Sequence, residues 1–342
     1  MRVGALNFGS GVRAFISGCE ATRLTASERS FFRDARPCGF ILFKRNCEDA
    51  DQIRALIGDF REAVDDASAL ILIDQEGGRV QRLIPPIAPR YPSARRFAAL
   101  HGGDAGKGLE AARSGARLIA RDLASLGITV NCAPVLDVPV PGAHDIIGDR
   151  AYGSTPDEIA GLGRAVAEGY LEGGILPVIK HIPGHGRAEV DSHASLPVIK
   201  ATRDELSRTD FVPFRALSDM PLGMTAHILI PDIDKDAPAS ASPKIIQEII
   251  RGDIGFDGLL LCDDLGMNAL SGTMQERARA VLDGGCDVAL HCSGNLDQMI
   301  AVASVAPELG GEAGRRFAAA CARITAPLPF DEARAESLLA EV

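Results

Sequence analysis

Short apolar runs recur along the chain. Between them lie longer segments in which apolar residues return every three or four positions. The runs at 13–17, 39–43 (GFILF), 70–73 (LILI), 128–132, 175–179, 222–226, 258–262 (GLLLC) and 287–290 read as buried strands. Helical spacing is clearest at 50–64, where Ile53, Leu56, Ile57, Phe60 and Val64 share one face. The same reasoning predicts helices over 27–35, 108–126, 156–172, 202–218, 274–283, 296–302, 312–324 and 332–339. Another starts at Ser242-Pro243, a cap followed by Pro at the first helical position, and ends near Gly252. The Pro-rich stretch 84–93 is too long for an ordinary turn and reads as a covering or functional loop. Eight strands with a helix in nearly every gap predict an α/β fold, a (β/α)8 TIM-type barrel. We read residues 1–342 as a single domain, with about 306–342 as a C-terminal helical extension. No GxGxxG follows a strand, which weakens a dinucleotide-binding alternative.

Composition narrows the function classes. The net charge of −10 is spread without a basic block, and Trp is absent, which argues against nucleic acid. No apolar run approaches the ~20 residues of a membrane span, and residues 1–8 do not form a convincing signal peptide. The eight Cys include no CxxC pair, so reduced thiols are expected rather than disulfides or structural zinc. These points predict a cytoplasmic protein without membrane or nucleic-acid partners; we read it as a monomer, which composition does not decide.

Candidate chemistry gathers where strands end, as a barrel requires. The ends read Lys44, Asp74, Asn131, Lys180-His181, His227, Asp263 and His291. The densest stretch is 180–193, with one Lys, three His, one Asp and one Glu, punctuated by Pro183, Gly184 and Gly186. It reads mostly as a loop leaving a buried strand. Any one end has an ordinary explanation: Asp74 or Asp263 could cap a helix, and His227 could be a satisfied buried histidine. Seven polar ends of eight are hard to explain that way. Asp263 directly follows GLLLC and is the candidate nucleophile, with Asp264 weaker. Asp191-Ser192-His193 offers an imidazole oriented by a carboxylate, able to donate and accept a proton. Lys180, Arg82 and Arg150 are hydrogen-bond donors suited to sugar hydroxyls, an amide oxygen or an acidic group. His181, His185, Asp191 and His193 could instead supply metal ligands, but Pro183 and Gly184 break any helix that would align the first two. No metal or other cofactor is expected.

The chain resembles the single-domain β-N-acetylhexosaminidases of glycoside hydrolase family 3, of the type used in bacterial cell-wall recycling. Five blocks between about 25 and 292 carry the resemblance: residues 39–43, Asp74-Gln75-Glu76-Gly77-Gly78-Arg79-Val80-Gln81-Arg82, Ile147-Gly148-Asp149-Arg150, Lys180-His181-Ile182-Pro183-Gly184-His185-Gly186 with Asp191-Ser192-His193, and Asp263-Asp264-Leu265-Gly266-Met267. It implies a retaining double displacement with Asp263 as nucleophile and His193 as acid/base, paired with Asp191. It implies sugar binding by Asp74, Arg82, Arg150, Lys180 and His181. The implied substrate is a terminal β-linked N-acetylglucosamine on a muropeptide fragment such as 1,6-anhydro-N-acetylmuramic acid, with or without peptide. Ile182 stands where an aromatic is common and Gly266 where Ser is common, and the first twenty residues match poorly. Larger relatives use a Glu from a second domain as acid/base. Only about fifty residues follow the eighth strand here, so the group is expected to come from the barrel. Glu76 and Glu189 are its rivals, but Glu76 precedes Gly-Gly and reads as part of a tight turn. A metal-dependent hydrolase and a non-catalytic sugar-binding barrel remain as alternative readings.

Overall fold

The computed structural model describes residues 11–192 and 194–342, so both the 1–8 segment and His193 lie outside it. Eight parallel strands form one sheet: β1 (Arg13–Ser17), β2 (Pro37–Leu42), β3 (Leu70–Ile73), β4 (Val130–Asn131), β5 (Leu176–Ile182), β6 (Leu222–Thr225), β7 (Leu259–Leu261) and β8 (Ala289–His291). Each pairs with its sequence neighbours, and β8 pairs back with β1. A parallel bridge between Leu261 and Val288 closes the ring on the remaining side. The predicted (β/α)8 barrel is thus the fold. The strands are buried along nearly their whole length, which is why they read as unbroken apolar runs rather than alternating ones.

Helices fill the gaps. α1 (Ala26–Ala35) and α2 (Ala50–Val64) pack on β2 through Phe32, Phe40 and Phe60. Phe40 stacks on Phe60 with ring centroids 4.6 Å apart. Thr25 and Glu28 cap α1 reciprocally, and Asp49 caps α2. The Pro-rich 84–93 connection leads into α3 (Ala94–Gly103), an element the apolar spacing did not reveal. It is held against α4 (Ala105–Ser125) by Phe97, whose ring lies where a side chain on Gly115 would sit. Between β4 and β5 runs α5 (Pro156–Glu172), with the predicted bounds.

The single helix predicted over 202–218 is two, α6 (Arg203–Arg208) and α7 (Phe211–Ala216). Pro213 has no N–H to give to Thr209, so the helix restarts with Pro in its first turn. The segment begun by Ser242 does cap as expected, with Ser242 Oγ accepting from Ile245 N at 3.0 Å. It winds as a π-helix over Ile245–Asp253. After β7 come α8 (Met274–Gly284), closed by Gly285 at φ 110°, and after β8 come α9 (Leu296–Ala303), α10 (Gly311–Cys321) and α11 (Glu332–Leu339). All eight cysteines are free thiols, seven of them buried. Among the described residues no helix is long and apolar enough to cross a membrane.

Candidate active site

The C-terminal ends of the strands open into a cavity of about 300 Å³. Three of the seven polar ends reach it: Asp74, Lys180-His181 and Asp263. The other four do not, each for a local reason. Lys44 turns outward in a 3-10 turn and is exposed. Asn131 is buried and exchanges hydrogen bonds of 2.9 Å with the main chain of Gln75. His227 is bound by Ser240 Oγ at 2.6 Å and by the Asp264 carbonyl at 3.1 Å. His291 is taken by Gln298 and Ser293.

Asn131 has an indirect effect on the site. It fixes Gln75, whose side-chain oxygen accepts from the main-chain N–H groups of Arg82 and Leu83 at 2.9 and 3.0 Å. Gln75–Gly77 and Val80–Gln81 form a small antiparallel hairpin. Its turn uses Gly77 and Gly78 at φ 94° and 58°, and a side chain on Gly77 would strike the Pro92 carbonyl at 2.3 Å. The hairpin follows Asp74 and sets Arg82 beside it on one side of the cavity, with Glu76 behind the lining. Glu76 is therefore more than part of a turn. Its carboxylate pairs bidentately with Arg150 at 2.9 Å on both oxygens and meets Lys180 Nζ at 2.7 Å.

Lys180 also reaches Asp74 at 2.9 Å, and Asp74 accepts from Arg82 at 3.1 Å. The result is one chain of alternating charge: Arg82, Asp74, Lys180, Glu76, Arg150. Burial pushes both carboxyls up, but the flanking cations win. Glu76 is held down at about 2 by Arg150 and Lys180, and Asp74 is lowered by Lys180 and Arg82. Lys180 is buried, which favours its neutral form, yet Asp74 and Glu76 raise its pKa and keep it charged. Asp74, Lys180, Glu76 and Arg150 are thus fixed as ions at neutral pH, ready to hydrogen-bond a polar ligand but poorly suited to trade protons with it.

Strand β5 runs three residues beyond its predicted end, so Lys180, His181 and Ile182 belong to the strand and not to the loop. Its pairing with β6 slips between Lys180 and Ile182, a bulge of the kind that re-aims side chains. His181 Nδ1 is hydrogen-bonded to Asp137 Oδ2 at 2.7 Å. Asp137 is fully buried, and its other oxygen also accepts from the main chain of His181 and His185. Burial raises Asp137, and His181 and His185 more than compensate, so it stays ionised. Sequence reasoning passed over Asp137. The available signal was a lone carboxylate among Val135, Leu136 and Val138, an apolar setting in which an acid needs partners.

Past β5 the chain stays buried through Gly186, and Gly186 packs so closely on the Val138 carbonyl that a Cβ would lie 2.0 Å from it. Gly186→Ala should therefore lower stability by about 1–3 kcal/mol, an overpacking cost, read as a reduced urea midpoint. Gly102→Ala, where nothing lies within 4 Å, is the control expected to show no loss. Arg187 anchors the same stretch through Asp210 and Glu205, both at 2.7 Å. Glu189 is exposed and faces Lys200 at 3.3 Å, away from the cavity lining. Asp191 is half-buried, and its carbonyl accepts from the N–H groups of Ala194 and Ser195. The His193 assignment falls outside the described residues.

Asp263 lies just past β7 and lines the cavity, half-buried. One carboxylate oxygen accepts from the Asp264 N–H at 2.8 Å. Burial raises its pKa, but His181, His227, that N–H and Lys180 together leave it lowered, so the carboxylate is ionised. Asp264 turns its Oδ1 onto the main chain, accepting from Gly266 at 3.0 Å and Cys292 at 3.1 Å. The Arg277 guanidinium holds the same turn from the other side, donating to the carbonyls of Leu265 at 2.9 Å and Met267 at 3.1 Å.

Residues 11–326 match the Glycosyl hydrolase family 3 N terminal domain. The chain belongs to glycosyl hydrolase family 3. It is 39% identical over 280 residues to a beta-hexosaminidase of Alkalilimnicola ehrlichii, covering 81% of this chain and 79% of that one. Native NagZ from Neisseria gonorrhoeae superposes with a TM-score of 0.84 at 31% identity, over 96% of this chain and 93% of the other. A family 3 beta-N-acetylglucosaminidase from Paenibacillus superposes with a TM-score of 0.83 at 28% identity, and there the chain spans 95% of itself but 66% of the longer protein. This family 3 chain is an enzyme, a glycoside hydrolase whose relatives are β-hexosaminidases. Its ionised Asp263 and charged Asp74–Lys180–Glu76 array sit where a barrel enzyme does its chemistry.

Proposed function

We propose that the chain is a retaining, exo-acting β-N-acetylglucosaminidase that removes terminal β-linked N-acetylglucosamine from peptidoglycan fragments such as N-acetylglucosaminyl-1,6-anhydro-N-acetylmuramic acid, acting in the cytoplasm as a monomer. The observation that carries this reading is the ionised Asp263 carboxylate in a cavity whose wall is an array of fixed charges. A volume of about 300 Å³ is at the small end for ligand cavities, roughly 300–1,000 Å³. It suits one sugar unit rather than a length of polymer, hence removal from a chain end. Asp74, Arg82, Arg150, Lys180 and His181 would hold that unit.

In the proposed reaction Asp263 attacks the anomeric carbon as the bond to the leaving oxygen breaks and His193 protonates that oxygen. A glycosyl-aspartate results. Water then attacks the same carbon, His193 takes its proton, and the aspartate is released with net retention. Asp191 would orient the imidazole. The rival acids are weakened by their partners: Glu76 is locked between Arg150 and Lys180, and Glu189 points to Lys200 outside the cavity.

The test is His193→Ala on two substrates. Acid catalysis contributes roughly 10²–10⁴-fold, so activity on a natural disaccharide should fall by about that factor. Activity on a 4-nitrophenyl β-N-acetylglucosaminide, whose leaving group needs no proton, should fall far less in the first step. Equal losses on both substrates would move the acid/base role to another residue.

A further inference from the structure

The loop after Ala188 is exposed or half-exposed at every described position through Leu196 except one. The exception is Ser192, which is 3% exposed and lines the cavity. A small polar residue buried on an otherwise exposed loop needs a reason. Ser192 has two bonds back to the barrel. Its hydroxyl meets His185 Nε2 at 3.2 Å, and its carbonyl accepts from the Ala269 N–H at 3.2 Å, on the chain that follows Asp263. His185 is itself immobilised, since its main-chain N–H donates to Asp137 Oδ1 at 2.7 Å and the residue is 3% exposed.

We infer that His185 and Ser192 form a latch that anchors the loop carrying the proposed acid/base to the chain that follows Asp263, so that His185 is a positioning residue for the reaction. The inference rests on the proposed acid/base role of His193. The latch links the two halves of the site: Asp137 holds His181 and His185 on the β5 side, and Ser192 ties that group to the loop of Asp263. Burial pushes the His185 imidazole down to about 4, so the ring is neutral in the neutral range and bonds to a hydroxyl without carrying charge. This gives Ser192 a function separate from its neighbours in Asp191-Ser192-His193. It also accounts for a histidine that lines the cavity with no charged partner on its ring among the described residues.

Ser192→Ala, Ser192→Thr and His193→Ala, each on the full chain, test the latch. Misplacing a reacting group by about 1 Å costs on the order of 10²-fold. Ser192→Ala should therefore lose about 10–100-fold in kcat on the disaccharide but only a few-fold on the 4-nitrophenyl glycoside, with KM little changed. Ser192→Thr keeps the hydroxyl and should recover most of the loss. In the His193→Ala background, adding Ser192→Ala should cost nothing more on the disaccharide, because the group it positions is gone. Equal losses on both substrates, no loss at all, or an additive double variant would overturn the latch. If His193→Ala itself lacks the leaving-group signature, the acid/base assignment fails and the latch with it. That control separates the two failures.

Discussion

Asp263→Asn is expected to lower kcat/KM by roughly 10⁴–10⁶-fold, the range seen when a nucleophile is removed outright, while the fold and sugar binding survive. The geometry supports both halves of that expectation. Asn keeps an oxygen to accept from the Asp264 N–H, the hydrogen bond that, among the described residues, fixes the side chain's direction, so the turn after β7 should hold. What is lost is the negative charge and the lone pair that would form the bond to carbon. The neighbour provides the contrast. Asp264 spends Oδ1 on two main-chain N–H groups, an arrangement Asn can also satisfy. Asp264→Asn should therefore retain activity within about two orders of magnitude. Isothermal titration with N-acetylglucosamine measures whether Asp263→Asn still binds. If Asp264→Asn were the dead variant and Asp263→Asn nearly active, the roles would be reversed.

Lys180→Met should give the largest loss of stability. It removes the cation shared by two buried carboxylates, and breaking a buried ion pair from one side costs about 3–5 kcal/mol. The sign of its pH dependence follows from the shifts. In the wild type Asp74 and Glu76 are depressed, Glu76 to about 2. Their contribution is fully present above the unfolded carboxylate value of ~4 and is lost as pH falls toward 2. Without Lys180 both folded-state values rise, although Arg82 and Arg150 remain. Protonation then relieves the variant at a higher pH. The stability gap between the two proteins should be widest at pH 7 and narrow as pH falls toward 2. Urea unfolding at several pH values measures it. A gap below about 1 kcal/mol, the size of a surface pair, or one that grows on acidification, would mean the charges are not coupled as described. The same array makes Lys180 a poor residue for testing sugar contact alone, since its removal disturbs Asp74 and Glu76 too.

The barrel was legible because parallel strands buried on both faces leave a plain record of apolar runs, and α2 and α5 repeat at helical spacing between recognisable caps. What escaped were features set by contacts distant in sequence. The extension of β5 through Lys180 and His181 depends on partners at 74, 76 and 137, which no local pattern reveals. Charge in a segment normally argues for a loop. Here it marks a strand whose ions are neutralised from across the barrel. Glu76 was hidden by the Gly-Gly beside it, although that turn is what presents its carboxylate to Arg150. His227 and Asn131 show the opposite error: polar residues at strand ends that look like site residues but are consumed by Ser240 and Gln75. Position in the barrel identified candidates. Only the hydrogen-bond partners separated lining residues from supporting ones.

The central claim is that sugar transfer passes through a covalent bond to Asp263. It is tested most directly by trapping that bond. A 5-fluoro N-acetylglucosaminyl fluoride reacts with a retaining enzyme but hydrolyses slowly, so the sugar stays attached. The protein is then digested, and tandem mass spectrometry of the labelled peptide locates the sugar. The account predicts one adduct per chain, on Asp263. An adduct on Asp264 or Asp74, or full turnover of the reagent with no adduct and inverted product, would contradict it.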